Sequence, residues 1–163
     1  MFSRTSYVAR AGLIAGLYVV LTLIAFPVAS TEIQFRPSEG LCLLPLFFPE
    51  AIPALFIGCI LSNLITGCAV FDIVFGGLVT LISALLTFGI GKIIKSMPLK
   101  IIIGGLFPVL LNALILPVIW YYCYYQSGYV YIVQACFLIV SQSLSVYAVG
   151  TPIILYLKKH QAE

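Results

Sequence analysis

Long apolar runs, separated by short polar or proline-containing breaks, cover almost the whole chain of 163 residues. Such runs predict membrane-spanning helices, because one crossing takes about 20 residues of α-helix. We place six helical segments at about 8–26, 38–48, 51–65, 71–94, 99–122 and 130–157. The prediction is an all-α membrane protein in which residues 1–163 form one domain of six transmembrane helices.

The second segment is too short to cross a membrane alone. We expect Ser38 to cap it, with Glu39 in its first turn, and Pro49 to end it. About eleven residues of α-helix rise only about 16 Å. The segment is therefore expected to be tilted, broken at Pro45, or embedded among the other helices.

The basic residues test this arrangement, because cytoplasmic loops carry an excess of Lys and Arg. Six crossings place both termini on one side, and of the 8 basic residues only Arg36 then lies on the other side. The remaining ones are Arg4, Arg10, Lys92, Lys95, Lys100, Lys158 and Lys159. We therefore predict that both termini are cytoplasmic and that Glu39 and Asp72 lie at the outer ends of their segments.

Composition agrees with a lipid environment. Hydrophobic residues make up 63% of the chain and charged residues 8%, whereas a soluble domain has about 25% charged residues. The cysteines have no CxxC spacing, and we interpret them as small core residues. The first apolar run follows two arginines, as in a signal peptide, but it extends to Pro27 and is interpreted as a retained helix that ends there.

The sequence lacks the common catalytic and nucleotide-binding motifs. Its single histidine, His160, lies in the tail, and neither HExxH nor GxSxG occurs. The stretch GIGK at 89–92 does not satisfy the phosphate-loop pattern. We therefore predict a protein that is not an enzyme and holds no cofactor; if ATP powers transport, partner subunits hydrolyse it.

Polar side chains within apolar segments are costly in lipid and usually face protein or a cavity. Glu39, Asn63 and Asp72 are expected at similar depth near the outer face. The fifth and sixth segments add Asn112, Gln134, Ser141, Gln142 and Ser145. These residues either bind a substrate or form hydrogen bonds between helices. Arg36 either joins the site or pairs with Glu39.

Aromatic residues crowd the outer ends of the last two segments: Trp120, Tyr121, Tyr122, Tyr124, Tyr125, Tyr129 and Tyr131. They form either an interfacial belt or a stacking surface for a planar ligand. The first segment carries a ridge of small residues, Ala11, Gly12, Ala15 and Gly16. This ridge serves either internal packing or docking to a separate membrane protein.

Several stretches together resemble the queuosine-precursor transporter family, QueT. They are IQFRPSEG at 33–40, LPLFFPEAIP at 44–53, FIGC at 56–59, SNL at 62–64 and FDIVFGGL at 71–78. The similarity begins with AGLYVVLT at 15–22 and returns at PVLLNA, 108–113, and VGTP, 149–152. It covers nearly the whole chain, with one departure at Ser141-Gln142, where the family pattern has Gly-Glu.

The resemblance implies a substrate-binding S component of an energy-coupling-factor (ECF) transporter. Such a subunit lies in the bilayer, binds one small molecule at its outer face, and docks onto a transmembrane partner and two ATPase subunits. By the same resemblance, the pair Ala11 and Ala15 on the first helix meets that partner. The implied substrate is a queuosine precursor, such as 7-aminomethyl-7-deazaguanine, queuine or a related 7-deazaguanine; no nucleic acid is expected as a partner.

The residue inventory is compatible with this ligand. One carboxylate can accept two N–H groups from the base, an amide can donate to its carbonyl, and a second carboxylate suits the amine. The two carboxylates are not assigned to these tasks by the sequence. Candidate contacts are Arg36, Glu39, Asn63, Asp72, Asn112, Trp120, Tyr124, Gln134 and Gln142. The alternatives are a solitary carrier for a planar amine-bearing metabolite, an S component for another vitamin, and an intramembrane enzyme using Asp72 with Asn63 or Ser62.

Overall fold

The computed structural model describes residues 4–29, 34–124 and 131–161, and within these ranges it contains helices and no strand. The α-helices are α1 (Arg4–Ala29), α2 (Ala51–Ile65), α3 (Val70–Ile93), α4 (Met97–Ile119), α5 (Tyr131–Ser143) and α6 (Gly150–Gln161). A 3-10 segment, Pro37–Leu46, lies between α1 and α2. A π turn, Trp120–Tyr124, extends α4, and a second one, Leu144–Val149, joins α5 to α6.

Four continuous helical stretches in the described ranges are long and apolar enough to cross a bilayer. They are Thr5–Val28, Val70–Ile93, Met97–Cys123 and Tyr131–Lys159. The apolar helix Ala51–Ile65 is shorter. The all-helical prediction is therefore confirmed, while six full crossings and cytoplasmic termini stay predictions.

The second predicted helix is embedded among the others, but it is a 3-10 helix and not an α-helix. Ten residues at about 2.0 Å each span about 20 Å. All residues from Ser38 to Leu46 are buried. The prediction that Ser38 caps this helix is wrong: Arg36 occupies the capping position, and the Ser38 hydroxyl instead accepts a hydrogen bond from Thr22 of α1 at 2.8 Å. Such a segment is tolerated at membrane depth because it is enclosed by protein.

Glycines let the 3-10 segment pass close to its neighbours. A Cβ at Gly40 would lie 2.9 Å from both the Gly150 nitrogen and the Ser145 carbonyl oxygen. A Cβ at Gly91 of α3 would overlap the backbone of Leu46. Because these contacts involve main-chain atoms, no side-chain rotation can relieve them. The 3-10 segment is therefore held on two sides by backbone approach.

From α1 to α5, each α-helix packs against the next one in sequence, and the 3-10 segment contacts α1, α3, α4 and α6. At the end that carries the start of α1, Arg10 forms an ion pair with the buried Glu50 at 3.3 Å. Glu50 directly precedes α2. This ion pair therefore links the first turns of α1 to the start of α2.

Two predicted boundaries differ from the structure. Helix α1 continues through Pro27 to Ala29. A proline in the last turn removes one backbone hydrogen bond, and this loss is tolerated where the end of the helix already frays. The last predicted helix contains the π turn Leu144–Val149. The predicted turn at 126–128 lies outside the described residues.

Candidate functional site

The candidate site begins at the end of the bundle opposite the Arg10–Glu50 ion pair and extends towards its middle. Asn63 comes from the last turn of α2, Asp72 from the first turn of α3, and Trp120 from the end of α4. Glu39 lies deeper, because it contacts Tyr18 and Asn112 near the middles of α1 and α4. The prediction that Glu39, Asn63 and Asp72 share one depth is therefore wrong: the short 3-10 segment starts inside the bundle.

Glu39 is a buried carboxylate held by three neutral donors. The Tyr18 hydroxyl donates to Oε1 at 2.6 Å. The Cys42 thiol and the Asn112 amide donate to Oε2 at 3.2 and 3.4 Å. Only 3% of Glu39 is exposed. The two oxygens of this carboxylate are therefore oriented by donors from three different elements of the bundle.

Asp72 is tied to the bundle by a single side-chain contact. The Trp120 indole N–H donates to Oδ1 at 2.8 Å. The Asn63 amide donates to the main-chain carbonyl of Asp72 at 3.4 Å, which joins α2 to α3. Among the described residues, Oδ2 of Asp72 has no hydrogen-bond partner. One oxygen of this carboxylate is therefore available to a ligand.

Arg36 is the one basic residue that lines this site in the described chain. Its backbone carbonyl accepts a hydrogen bond from the Glu39 N–H at 3.0 Å. In the described ranges, its guanidinium forms no ion pair within 4.0 Å, so the pairing alternative for Arg36 and Glu39 is not realised. A guanidinium stays protonated in proteins, so Arg36 contributes a permanent positive charge to the cavity that Glu39 and Asp72 also line.

Two adjoining cavities share these side chains. The inner cavity measures about 20 Å³ and is lined by Arg36, Glu39, Cys59, Asn63, Asp72, Gly76, Thr80, Asn112, Leu116 and Trp120. The second cavity, which we call the vestibule, measures about 160 Å³ and is lined by Thr22, Phe26, Gln34, Arg36, Asn63, Thr66, Cys68, Asp72 and Trp120. Four residues line both, namely Arg36, Asn63, Asp72 and Trp120. These four form the neck between the two cavities.

The structure thus brings together six predicted site residues: Arg36, Glu39, Asn63, Asp72, Asn112 and Trp120. Gln134 and Gln142 line neither cavity, and within the described chain their Oε1 atoms are buried without a partner. A role for them in binding stays a prediction. The side chain of Tyr124 lies outside the described residues.

Two serines of the last predicted helix form hydrogen bonds within that helix. Ser141 and Ser145 donate to the carbonyls of Leu138 and Ser141 in their own helix, at 3.3 and 2.9 Å. The expectation that these serines either bond between helices or bind substrate is therefore not met. Tyr121 and Tyr122 are exposed, as in an interfacial belt.

Sequence reasoning missed three residues of the site. Tyr18 was counted only as part of an apolar helix, although a buried tyrosine hydroxyl needs a hydrogen-bond partner. Cys42 and Cys59 were assigned to the core, where they are indeed buried, but Cys42 also bonds Glu39 and Cys59 lines the inner cavity. Tyr18 could have been found from its hydroxyl group, because the apolar residues around it in the sequence offer no hydrogen-bond partner.

The ridge of small residues on α1 divides into two parts. Ala11 and Ala15 are partly buried, and the Ala15 carbonyl would lie 3.2 Å from a Cβ at Gly58 of α2. Gly12 and Gly16 are exposed, and a Cβ at either meets nothing within 4 Å. Ala15 therefore packs against α2, and the two glycines face outward, while docking of a partner at Ala11 and Ala15 stays a prediction.

Apolar helices long enough to cross a bilayer, together with a charged cavity between them, define a multi-pass membrane protein with an internal site for a small polar molecule. Its particular family follows from the sequence: the chain belongs to the QueT transporter family, whose profile matches residues 8–159. The family is one of transporters, and the long apolar helices fit a multi-pass protein of the cell membrane.

One similar protein is the queuosine precursor transporter QueT of Lactococcus lactis subsp. cremoris (strain MG1363), which is 37% identical over 82 residues. These residues make up 49% of this chain and 48% of the relative, so the aligned region spans about half the length of each. No solved structure matches the chain.

Proposed function

We propose that this protein binds a queuosine precursor, a 7-deazaguanine that bears an amine, as the substrate-binding subunit of an ECF-type importer. The observation that carries the proposal is the charged inner cavity. Its lining combines two carboxylates, one guanidinium, two amides and an indole within an otherwise apolar bundle. The family and the name of the relative support the same substrate class.

Charge supports an amine-bearing ligand. Glu39 and Asp72 together carry two negative charges, and Arg36 supplies one positive charge in the same lining. The site is left with one net negative charge in a low-dielectric environment, where an uncompensated charge is costly. A ligand with a single ammonium group neutralises it, whereas a neutral nucleobase does not.

In this proposal ATP is hydrolysed by other subunits, because the sequence contains no phosphate-loop motif. The proposed partners are a transmembrane subunit and two ATPase subunits. The outward face of Gly12 and Gly16 suits close approach of another helix in lipid. In this arrangement both termini are cytoplasmic, the chain crosses the membrane six times, and the vestibule opens to the outside.

A thermal unfolding series with purified protein tests the proposed substrate. Ligand at about one hundred times its dissociation constant adds about 2.7 kcal/mol of stability, or about 5–10 °C for a chain of this size. We expect stabilisation by 7-aminomethyl-7-deazaguanine and none by guanine, riboflavin or thiamine at the same concentration. Stabilisation by a vitamin and by none of the deazaguanines would contradict the proposed substrate.

Reconstitution tests the coupling. Liposomes that contain this chain alone are expected to bind the precursor without accumulating it. Accumulation by the chain alone would identify a solitary carrier and contradict the multisubunit proposal.

A further inference from the structure

We propose that the two carboxylates of the site have separate tasks. Glu39 accepts the N–H groups on the edge of the ligand's heterocycle, and Asp72 binds the ligand's ammonium group. This inference rests on the proposed function and deepens it, because it assigns a part of the ligand to each residue.

The donors around Glu39 match the edge of a 2-amino-4-oxo pyrimidine ring in order. Along that edge lie a carbonyl oxygen, a ring N–H and an exocyclic amine. The protein groups that would face this edge follow the same order: the Asn112 amide, then Oε2 of Glu39, then Oε1 of Glu39. The order is set by Asn112, which contacts Oε2. The Asn112 amide then donates to the ligand carbonyl, Oε2 accepts the ring N–H, and Oε1 accepts the exocyclic amine.

The capacity of the carboxylate agrees with this order. A carboxylate offers about four lone-pair sites. Three are engaged here, by Tyr18, Cys42 and Asn112. The Asn112 contact is long, at 3.4 Å, and it is the one that the ligand carbonyl would replace. Moving that amide to the ligand leaves one acceptor site on each oxygen, which is what two parallel N–H groups require.

Asp72 offers a different environment. It lines both cavities, and its Oδ2 has no hydrogen-bond partner among the described residues. An ammonium group is compact and strongly hydrated, so removing it fully from water is costly. At the neck it can contact Asp72 and keep water from the vestibule of about 160 Å³. At Glu39 it would lose that water, because the inner cavity of about 20 Å³ holds roughly one molecule.

Trp120 connects the two tasks. The inner cavity is too small for a bicyclic ring, so the neck must widen when the ligand enters. Trp120 is held at the neck by its hydrogen bond to Asp72. The ammonium binds the free Oδ2, so the indole stays bonded to Oδ1 beside the path of the heterocycle, where its ring can stack on the ligand.

Calorimetry with three ligands and two variants tests the assignment. The ligands are 7-aminomethyl-7-deazaguanine, its 7-hydroxymethyl analogue without a charge, and the analogue without the exocyclic 2-amino group. We expect the wild type to prefer the first over each of the others by about tenfold or more. Asp72→Asn should abolish the preference for the amine and keep the preference for the 2-amino group. Glu39→Gln should do the reverse.

A matched control is Glu50→Gln, which changes a carboxylate to an amide at the opposite end of the bundle and should alter neither preference. Asn112→Ala provides a second test in case Glu39→Gln does not fold: it should weaken binding of all three ligands by a similar factor, because all three carry the carbonyl. Exchange of the two expected patterns, or loss of the same preference in both variants, would overturn the assignment. Failure of the wild type to bind any of the three ligands would instead reject the proposed function.

Discussion

Replacing Gly150 by alanine tests the position of the 3-10 segment in the bundle. A Cβ at this position would overlap the carbonyl oxygen of Gly40 and lie 3.0 Å from Cδ1 of Leu43. The leucine can rotate, but the carbonyl belongs to the main chain. Helix α6 and the 3-10 segment must therefore separate by several tenths of an ångström.

The expected cost follows from the nature of this contact. Inserting a methyl group into a packed core typically costs about 1–3 kcal/mol. Because the opposing atom is main chain, we expect the upper half of that range, about 2–3 kcal/mol. For a chain of this size, each kcal/mol lowers the melting temperature by about 2–4 °C. Gly150→Ala should therefore melt about 4–12 °C below the wild type in detergent. Ligand affinity should also fall, because Gly40 directly follows Glu39.

The matched control is Gly89→Ala in α3, where a Cβ meets nothing within 4 Å. The same substitution there should be neutral or stabilising by up to about 1 kcal/mol, through helix propensity alone. Thermal unfolding followed by circular dichroism measures both variants. Equal melting temperatures for Gly150→Ala and Gly89→Ala would refute the close approach of α6 to the 3-10 segment.

Three further predictions concern the site, the ion pair and the docking face. Tyr18→Phe removes the hydroxyl that donates to Glu39 at 2.6 Å. A hydrogen bond to a charged group contributes about 1.5–3 kcal/mol, so calorimetry should show ligand affinity reduced about tenfold to hundredfold. Unchanged affinity would contradict this role of Tyr18. Arg10→Gln removes the cation that pairs with Glu50 and should lower the free energy of unfolding by about 1–2 kcal/mol. The loss is smaller than for a fully buried pair because the Arg10 side chain is 35% exposed. A change in ligand affinity without loss of stability would argue against a purely structural ion pair. Gly16→Trp should block co-purification with the transmembrane partner while ligand binding persists, and normal co-purification would remove this face from the docking proposal.

The charged part of the site could be predicted because a charged side chain is costly in lipid and therefore indicates a cavity or a polar partner. Glu39 and Asp72 are acidic residues next to apolar runs, and such residues usually face a cavity. The structure places both, with Asn63, Asn112 and Trp120, around one cavity. Their relative depth could not be predicted, because it depends on where the chain enters the bundle before Pro37.

The 3-10 geometry and the neutral hydrogen-bond donors to Glu39 could not be predicted, because they depend on contacts between residues far apart in the chain. The 3-10 segment packs through Gly40 against the backbone of Gly150, which is far away in the chain. Tyr18 donates to Glu39 from 21 residues away, and Asn112 from 73. Local periodicity carries no information about such pairs. By contrast, Ser145 bonds to its own helix, so its polar character gave a misleading signal.

The central claim is that an amine-bearing heterocycle occupies the cavity between Glu39 and Asp72. The most direct test is an experimental structure of the protein with 7-aminomethyl-7-deazaguanine bound. We predict ligand density between these two carboxylates, with its ring beside Trp120. Density at another place, such as beside Gln142, with the cavity between Glu39 and Asp72 still closed, would contradict the account.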